Sequence, residues 1–187
     1  MASAGLMLNN SAVVIASMII APFMTPILSF SVGILIPNKN LIKIGFINQI
    51  LGFIISVVIG FLMGLLSEIF RIAKEPSVQM LIRTFPNWLD VIVAVCAGIA
   101  IGFSTTSTLE SSLVGIAIAA SLMPPAANVG IACGFGDYSL ALGSFMLFLM
   151  NIVLINLAAI VIFRLKRIKR TTHLAAEWEE IAEESPE

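Results

Sequence analysis

The residues best placed to do chemistry lie beside two proline motifs, each inside an apolar stretch of the chain. The first motif is Met24–Pro26, preceded by Pro22, and the second is Met123–Pro125, about 100 residues later. Proline lacks the N–H group and clashes with the preceding turn, so each motif predicts a helix divided into two halves. The second half-helices are expected to begin near Pro26 and Pro125. Main-chain groups freed in this way must be buried in protein or line a wet cavity.

Neutral polar side chains accompany both motifs and complete a predicted pathway for an ion or small solute. Freed carbonyls can coordinate a cation and half-helix N–H groups can hold an anion, so the sequence does not choose between the two. The predicted pathway comprises Ser17, Pro22, Thr25, Pro26, Ser29, Ser121, Pro124, Pro125 and Asn128. No carboxylate lies in residues 11–36 or 113–135, which leaves a proton relay without a candidate. The alternative role for each hydroxyl is a hydrogen bond to the carbonyl four residues earlier in its own helix.

Two aspartates raise one enzymatic alternative, an intramembrane aspartyl protease. Gly134–Asp137 spells the G-x-G-D pattern of those enzymes, which activate water with paired carboxylates. A partner acid deep in a neighbouring helix is missing, because Asp90 lies at a helix entrance. Asp137 is better explained as the N-terminal cap of the last apolar segment. A serine hydrolase fails as well, since no histidine lies in the apolar segments to act as base. We therefore predict no enzyme and no catalytic residue.

Metal, cofactor and nucleic-acid partners are not predicted. The single histidine, His173, lies in the polar C-terminal region, whereas Cys96 and Cys133 lie far apart in apolar stretches. This arrangement lacks the ligand spacing of a zinc or haem site. The formal net charge of −1 provides no basic face to neutralise nucleic-acid phosphates.

Composition indicates that these residues fold in lipid. Hydrophobic residues make up 59% of the chain and charged residues 11%, whereas a soluble domain is about a quarter charged. A helix needs about 20 residues to cross the hydrocarbon. Five apolar segments are present, Ser11–Ile36 (A), Ile44–Leu66 (B), Trp88–Phe103 (C), Leu113–Phe135 (D) and Leu140–Leu165 (E). The predicted fold is an all-α integral membrane protein with about five membrane segments, of which A and D are broken by proline.

The proline motifs belong to a predicted internal repeat. Each copy runs from a polar cluster through an apolar half-span and prolines to small polar residues, followed by a long segment, B or E. If each copy has three spans, the second enters the membrane in the opposite sense, as in the inverted repeats of secondary transporters. The predicted transmembrane domain covers residues 1–166, with pseudo-repeats 1–66 and 88–165 joined by an interfacial segment, 67–87. Residues 167–187 are predicted to form a charged cytoplasmic tail.

Small and amide side chains on segments B and E predict helix packing. Segment B has a small residue at every fourth position, which permits close helix approach; these residues are Gly52, Ser56, Gly60 and Gly64. The amides on B and E are expected to hydrogen-bond between helices or subunits first and to line a pathway second; they are Asn48, Gln49, Asn151 and Asn156. This pattern predicts a homo-oligomer and supports a competing function, a non-transporting scaffold or oligomer-forming subunit.

Basic residues predict the orientation of the chain in the membrane. A basic run directly follows segment E, which predicts a cytoplasmic C-terminus; it consists of Arg164, Lys166, Arg167, Lys169 and Arg170. We expect these side chains to hold anionic lipid headgroups, which makes membrane lipid a partner. A plain stop-transfer signal explains the same run equally well.

Both proline signatures resemble a catalogued family. The first is Asn10–Pro22 with Thr25-Pro26-Ile27, and the second is Gly115–Gly130 followed by Gly136-Asp137 and Ala141–Gly143. Together they resemble the hydrophobic prokaryotic membrane proteins catalogued as domain of unknown function family 389, over nearly all of residues 4–164.

The resemblance implies a protein of the prokaryotic inner membrane whose biochemistry is not established. Members of the family usually carry a complete hydrophobic helix ahead of the first signature. In this sequence we expect only Met1–Leu8 to correspond to that helix. The leading functional hypothesis is a transporter or channel for an ion or small solute. A membrane scaffold is the alternative, and an intramembrane protease is the least favoured class.

Overall fold

The computed structural model describes residues 1–20, 23–70, 76–104 and 108–165. These residues form α-helices and no strand, which confirms the prediction of an all-α protein. The helices are α1 (Ala2–Met7), α2 (Ser11–Ile20), α3 (Met24–Leu35), α4 (Lys39–Phe70), α5 (Val78–Leu81), α6 (Trp88–Ser104), α7 (Thr108–Gly134) and α8 (Tyr138–Leu165).

Three described helices are long and apolar enough to cross a membrane. They are α4, the Ala117–Gly134 part of α7, and α8. Two further apolar stretches, Thr25–Leu35 and Trp88–Ile101, are shorter. The 12 residues of α3 rise only about 18 Å, which is less than the hydrocarbon thickness. The helices therefore fit a membrane protein, but the predicted count of about five spans and the inverted repeat are not confirmed.

The central helix of the bundle is α7. Its Ala117–Gly134 part is 82% buried, against 17% and 33% for the apolar parts of α4 and α8. It contacts α1, α2, α3, α4, α6 and α8. Its residues are mostly small, so neighbouring helices can approach it from several sides. One core cluster joins Ile118 and Leu122 of α7 to Ile27 of α3 and Ile155 of α8.

The prediction that segment D divides at its prolines is wrong, because α7 continues through Pro124 and Pro125. Proline at position 125 removes the N–H group that would bond the carbonyl of Ser121. Asn151 on α8 replaces it, donating from Nδ2 to that carbonyl over 2.8 Å. A neighbouring helix thus satisfies the carbonyl that Pro125 frees, as is typical of proline within membrane helices.

Segment A contains two helices. The first, α2, ends at Ile20 and the second, α3, begins at Met24, with Pro26 in its first turn. Proline is tolerated at that position because first-turn N–H groups have no partner within the helix. Residues 21–22, which include the predicted pathway residue Pro22, lie outside the described residues.

The contact between α4 and α7 is made by glycines on both sides. Gly60 and Gly64 of α4 face Gly130 and Gly134 of α7. A methyl group added to Gly64 would lie 2.8 Å from the carbonyl oxygen of Ile131, and one added to Gly134 would lie 2.9 Å from the Cα of Gly64. The two backbones are therefore in direct contact, and dispersion with Cα–H···O contacts holds them together.

Part of the predicted interfacial segment packs against the N-terminal helices. Ser77 caps α5, accepting a hydrogen bond from the Met80 N–H group over 3.3 Å, and its hydroxyl donates to the carbonyl of Leu6. The N–H group of Gln79 donates to Asn9 Oδ1 over 3.2 Å. Burial lowers the pKa of Arg83 in the following turn. Residues 67–70 complete α4, and residues 71–75 lie outside the described residues.

Candidate functional site at the junction of α2 and α3

A cavity of about 600 Å³ opens where α2 gives way to α3. We call it the junction pocket. Its lining comes from α1, α2, α3, α4 and α7 together with Met1 and Phe23. The lining residues are Met1, Ala2, Ser3, Ser17, Phe23, Thr25, Pro26, Asn48, Leu51, Gly52, Ile55, Ser56, Ile59, Met123 and Ala127. The pocket therefore contacts the first proline motif directly and the second through Met123, the residue before Pro124.

The start of α3 is anchored on α4 beside the junction pocket. Gln49 Nε2 on α4 donates to the carbonyl of Pro26 over 3.1 Å. Phe23 is buried and packs on Gly52, where an added methyl group would lie 3.0 Å from the Phe23 ring. The start of α3 is thus held to the long helix α4 by one hydrogen bond and one aromatic contact.

Several hydroxyls near the junction pocket are bonded within their own helices. Ser17 Oγ donates to the Val14 carbonyl over 2.6 Å, and Ser56 Oγ donates to the Gly52 carbonyl over 2.8 Å. Ser29 Oγ donates to the carbonyl of Thr25 over 3.0 Å. The alternative role named for these hydroxyls, bonding back to the helix, is therefore present in the structure.

Three polar side chains of the lining remain available to an occupant, and one of them belongs to Ser3, a residue that is otherwise buried. Thr25 and Asn48 are both exposed. Within the described part of the chain, no hydrogen bond involves the side chain of Ser3, Thr25 or Asn48. A hydroxyl and an amide can both donate and accept hydrogen bonds. None of the side chains that line the junction pocket carries a charge, so these side chains suit an occupant bound by neutral hydrogen-bonding groups and apolar contacts.

The structure brings only part of the predicted pathway to the junction pocket. Its lining includes Ser17, Thr25 and Pro26. The remaining described members lie elsewhere, and all of them are buried: Ser29, Ser121, Pro124, Pro125 and Asn128. The prolines of α7 face the protein interior because that helix is surrounded by its neighbours.

Asn128 takes part in a separate polar contact at the α5 end of the bundle. It is completely buried, and its Nδ2 donates to the Met80 carbonyl over 3.0 Å and to Ser144 Oγ over 2.8 Å. Its Oδ1 has no hydrogen-bond partner among the described residues. These bonds join α5, α7 and α8 and assign Asn128 a role in holding helices together.

We expect Asn128→Leu to destabilise the protein without altering the junction pocket. Removing two buried hydrogen bonds leaves the Ser144 hydroxyl and Met80 carbonyl with fewer partners, a loss of about 1–2 kcal/mol in the free energy of unfolding. Reversible unfolding in mixed micelles measures this loss. A Ser144→Ala variant, which removes one of the two partners, should lose less. Equal stability of Asn128→Leu and the unsubstituted protein would contradict the role.

The residues predicted to pack helices lie at the α4–α7 contact, in the lining of the junction pocket, or in hydrogen bonds between helices. Gly60 and Gly64 contact α7, whereas Gly52 and Ser56 line the junction pocket. Asn151 donates to the Ser121 carbonyl. Asn156 Nδ2 donates to Gln49 Oε1 over 3.2 Å and to the Ile152 carbonyl over 2.7 Å, while Ser31 Oγ donates to Asn156 Oδ1 over 3.3 Å. Asn156 therefore joins α3, α4 and α8.

Sequence reasoning missed some residues of these sites. Asn48 was predicted first as an interhelical amide and only second as a pathway residue, and it lines the junction pocket. Its position four residues before Gly52 and eight before Ser56 puts it on the same helical face, and that spacing is a signal that could have found it. Ser144 and the Met80 carbonyl carry no such signal, because their partner, Asn128, is distant in sequence.

The two aspartates that raise the protease alternative each bond the start of their own helix. Asp90 Oδ2 accepts from the Asn87 N–H group over 2.9 Å, and Asp137 Oδ1 accepts from the Leu140 N–H group over 3.1 Å. A carboxylate is stabilised at a helix N-terminus by these donors and by the helix dipole. The capping role predicted for Asp137 is therefore present.

The basic run after segment E is described only at its first residue. Arg164 is exposed in the last turn of α8. The other residues predicted to contact lipid headgroups lie outside the described residues, namely Lys166, Arg167, Lys169 and Arg170.

The long apolar helices fit an α-helical membrane protein. The chain belongs to the family described as Domain of unknown function (DUF389), which matches residues 18–157. It is also 35% identical over 162 residues to the uncharacterized protein MJ0678 of the archaeon Methanocaldococcus jannaschii. That alignment covers 87% of this chain and 49% of the relative, so the chain spans about half the length of the curated protein it matches. No solved structure matches it. The family resemblance predicted from the two proline signatures is confirmed.

Proposed function

We propose that the protein is a transporter or channel for an ion or small solute, with its binding site in the junction pocket. The observation that carries the proposal is the pocket of about 600 Å³ at the interruption between α2 and α3, which also reaches Met123, the first residue of the second proline motif. Interrupted helices provide solute sites in membranes because their main-chain groups are tolerated only inside protein or beside a water-filled cavity.

The chemistry of the lining supports a neutral or singly charged solute. The available polar groups are the Ser3 and Thr25 hydroxyls and the Asn48 amide. The surrounding surface is formed by apolar residues such as Leu51 and Met123. An ion with several charges would need a charged or densely polar shell to replace its hydration. A small solute with few hydrogen-bonding groups needs less compensation.

Blocking the junction pocket tests the proposal. Ile55 lines the pocket and Ile54 does not, although both are exposed on α4. Ile55→Trp is expected to reduce solute flux about tenfold or more by filling the pocket, whereas Ile54→Trp should leave it unchanged. The measurement is swelling of vesicles that contain the purified protein, in glycerol, urea and potassium chloride, each against protein-free vesicles.

The outcomes of this experiment separate the proposals. A similar loss of flux in both variants would contradict the pocket as the pathway. The same would follow if Thr25→Val and Asn48→Leu, which remove two of the three available polar groups without added bulk, had no effect on the rate or on solute preference.

A non-transporting membrane scaffold is the second candidate, and a different observation favours it. The most apolar part of α4 is only 17% buried, and that of α8 is 33% buried. These broad apolar faces are available to lipid or to other subunits. The scaffold proposal expects no flux above protein-free vesicles for any of the three probes, together with a defined oligomer in detergent.

Three finer features of the membrane organisation remain proposals. The α3–α4 and α7–α8 pairs each set a Met-x-Pro helix against a long helix, which supports an internal repeat. Arg164 at the end of α8 supports a cytoplasmic C-terminus in a prokaryotic inner membrane. The exposed apolar faces of α4 and α8 support a homo-oligomer.

A further inference from the structure

A second cavity, about 540 Å³ in volume, lies on the outer face of the bundle between α3, α4 and α8. We call it the phenylalanine groove, because its walls contain Phe30, Phe46, Phe53, Phe145 and Phe148. The Phe53 ring centroid lies 4.4 Å from that of Phe148 and 5.7 Å from that of Phe145. Aromatic side chains therefore form a continuous apolar wall between α4 and α8.

The polar groups in the groove bond with one another and with the main chain. Gln49 and Asn156 line it, yet both are buried and share a hydrogen bond of 3.2 Å. Gln49 also bonds the Pro26 carbonyl, and Asn156 the Ile152 carbonyl. The surface that remains is hydrocarbon, formed by residues such as Val153, which is 48% exposed. Such a surface suits an apolar chain and offers little to a polar solute.

The two long helices run antiparallel along the groove. Gln49 meets Asn156, whereas Phe53, further along α4, meets Phe148, which is earlier on α8. The start of α4 and the end of α8 therefore lie at the same end of the groove.

Three exposed basic residues lie at that end. Lys43 and Lys39 precede Phe46 by three and seven residues, and Arg164 follows Ile160 by four. Side chains spaced by three, four or seven residues share one helix face. The basic side chains thus continue the same faces of α4 and α8 that line the groove, and they give its apolar surface a positively charged end.

We propose that the phenylalanine groove binds an acyl chain of an anionic phospholipid, with the lipid phosphate held by Lys39, Lys43 and Arg164. An apolar groove with one cationic end matches the chemistry of such a lipid. Its acyl chain fits the apolar surface, and its phosphate fits the basic end. A second copy of this chain fits less well. Subunits related by an axis along the membrane normal would carry their own basic residues at the same membrane depth, where like charges repel.

The experiment compares two lipids and two pairs of variants, using the full chain in detergent. Bound lipid is counted by native mass spectrometry during titration with dioleoylphosphatidylglycerol or dioleoylphosphatidylcholine. Each basic side chain near a lipid surface strengthens anionic binding about fivefold. The double variant Lys43→Gln/Arg164→Gln is therefore expected to weaken phosphatidylglycerol binding about 25-fold, with little change for phosphatidylcholine.

A matched pair of bulky variants tests the groove itself. Val153 lies in the groove and Val161 does not, although both are about half exposed on α8. Val153→Trp should weaken binding of both lipids, whereas Val161→Trp should not. Inorganic phosphate at the same concentration should not displace phosphatidylglycerol if the acyl chain contributes to binding.

Three results would overturn the lipid site. The first is equal binding of the two lipids by the unsubstituted protein, and the second is equal behaviour of the two valine variants. The third is a change in oligomer mass in Val153→Trp with lipid binding unaltered, which would show that a second copy of the chain occupies the groove.

Discussion

Gly130→Ala is expected to lower the free energy of unfolding by about 2–3 kcal/mol, because the added methyl group has no space to enter. At Gly130 this methyl group would meet the Val57 carbonyl oxygen, lie 2.7 Å from the Phe61 nitrogen and lie 2.9 Å from the Gly60 Cα. All three are backbone atoms, so a change of side-chain rotamer does not relieve the clash. The α4 and α7 helices would have to separate.

Gly52→Ala is the matched control for this prediction. The methyl group added there would lie 3.0 Å from the Phe23 ring, and the three nearest atoms all belong to that side chain. The ring can move by a few tenths of an ångström, and alanine itself favours a helix by about 1 kcal/mol over glycine. Reversible unfolding in mixed micelles should therefore show little loss at Gly52. Equal losses at Gly52 and Gly130 would contradict the proposed importance of backbone contact.

Asn156→Leu is expected to lower the free energy of unfolding by about 2 kcal/mol, since one amide connects three helices. The substitution removes the bond to Gln49 Oε1, the bond to the Ile152 carbonyl and the acceptor for Ser31 Oγ. Gln49 and Ser31 are buried, so their polar groups would be left with fewer partners away from water. The cost of an unmatched buried group exceeds the net gain from a formed hydrogen bond.

A double-mutant cycle measures the coupling between Asn156 and Gln49. Replacing both residues by leucine removes both members of the 3.2 Å bond, so the double variant should be more stable than the sum of the single losses predicts, by about 1 kcal/mol. Strict additivity would show that the two amides do not interact in the membrane. Circular dichroism of each variant checks that the helices remain formed.

The long apolar helices were predictable because their length is encoded locally. Segments B and E lie within α4 and α8, each an uninterrupted run longer than the hydrocarbon requires. The continuity of α7 was not predictable in the same way. Pro124 and Pro125 favour a break on local grounds, and the donor that replaces the N–H group missing at Pro125 belongs to Asn151, on the next helix. A local rule gives way to a tertiary hydrogen bond at this position.

The site shows the same division between local and long-range information. The four-residue spacing of Gly60 and Gly64 predicted a packing face on α4. Gly130 and Gly134 have the same spacing and form the partner face on α7, but this pairing was not predicted from the sequence. Thr25 and Pro26 were predicted as pathway residues and line the junction pocket. Asn128 was grouped with them because it follows the second motif, but its side chain bonds Met80 and Ser144.

The bond from Asn151 to the Ser121 carbonyl bears on how the chain is assembled as it leaves the ribosome. The helix that contains Ser121 and Pro125 is synthesised before Asn151, whose amide bonds the Ser121 carbonyl. Until α8 has followed, α7 carries an unmatched acceptor, and its favoured surroundings during that interval are the aqueous interior of the translocon and not the bilayer. The two helices are therefore expected to enter the lipid together, as a hairpin released in one step.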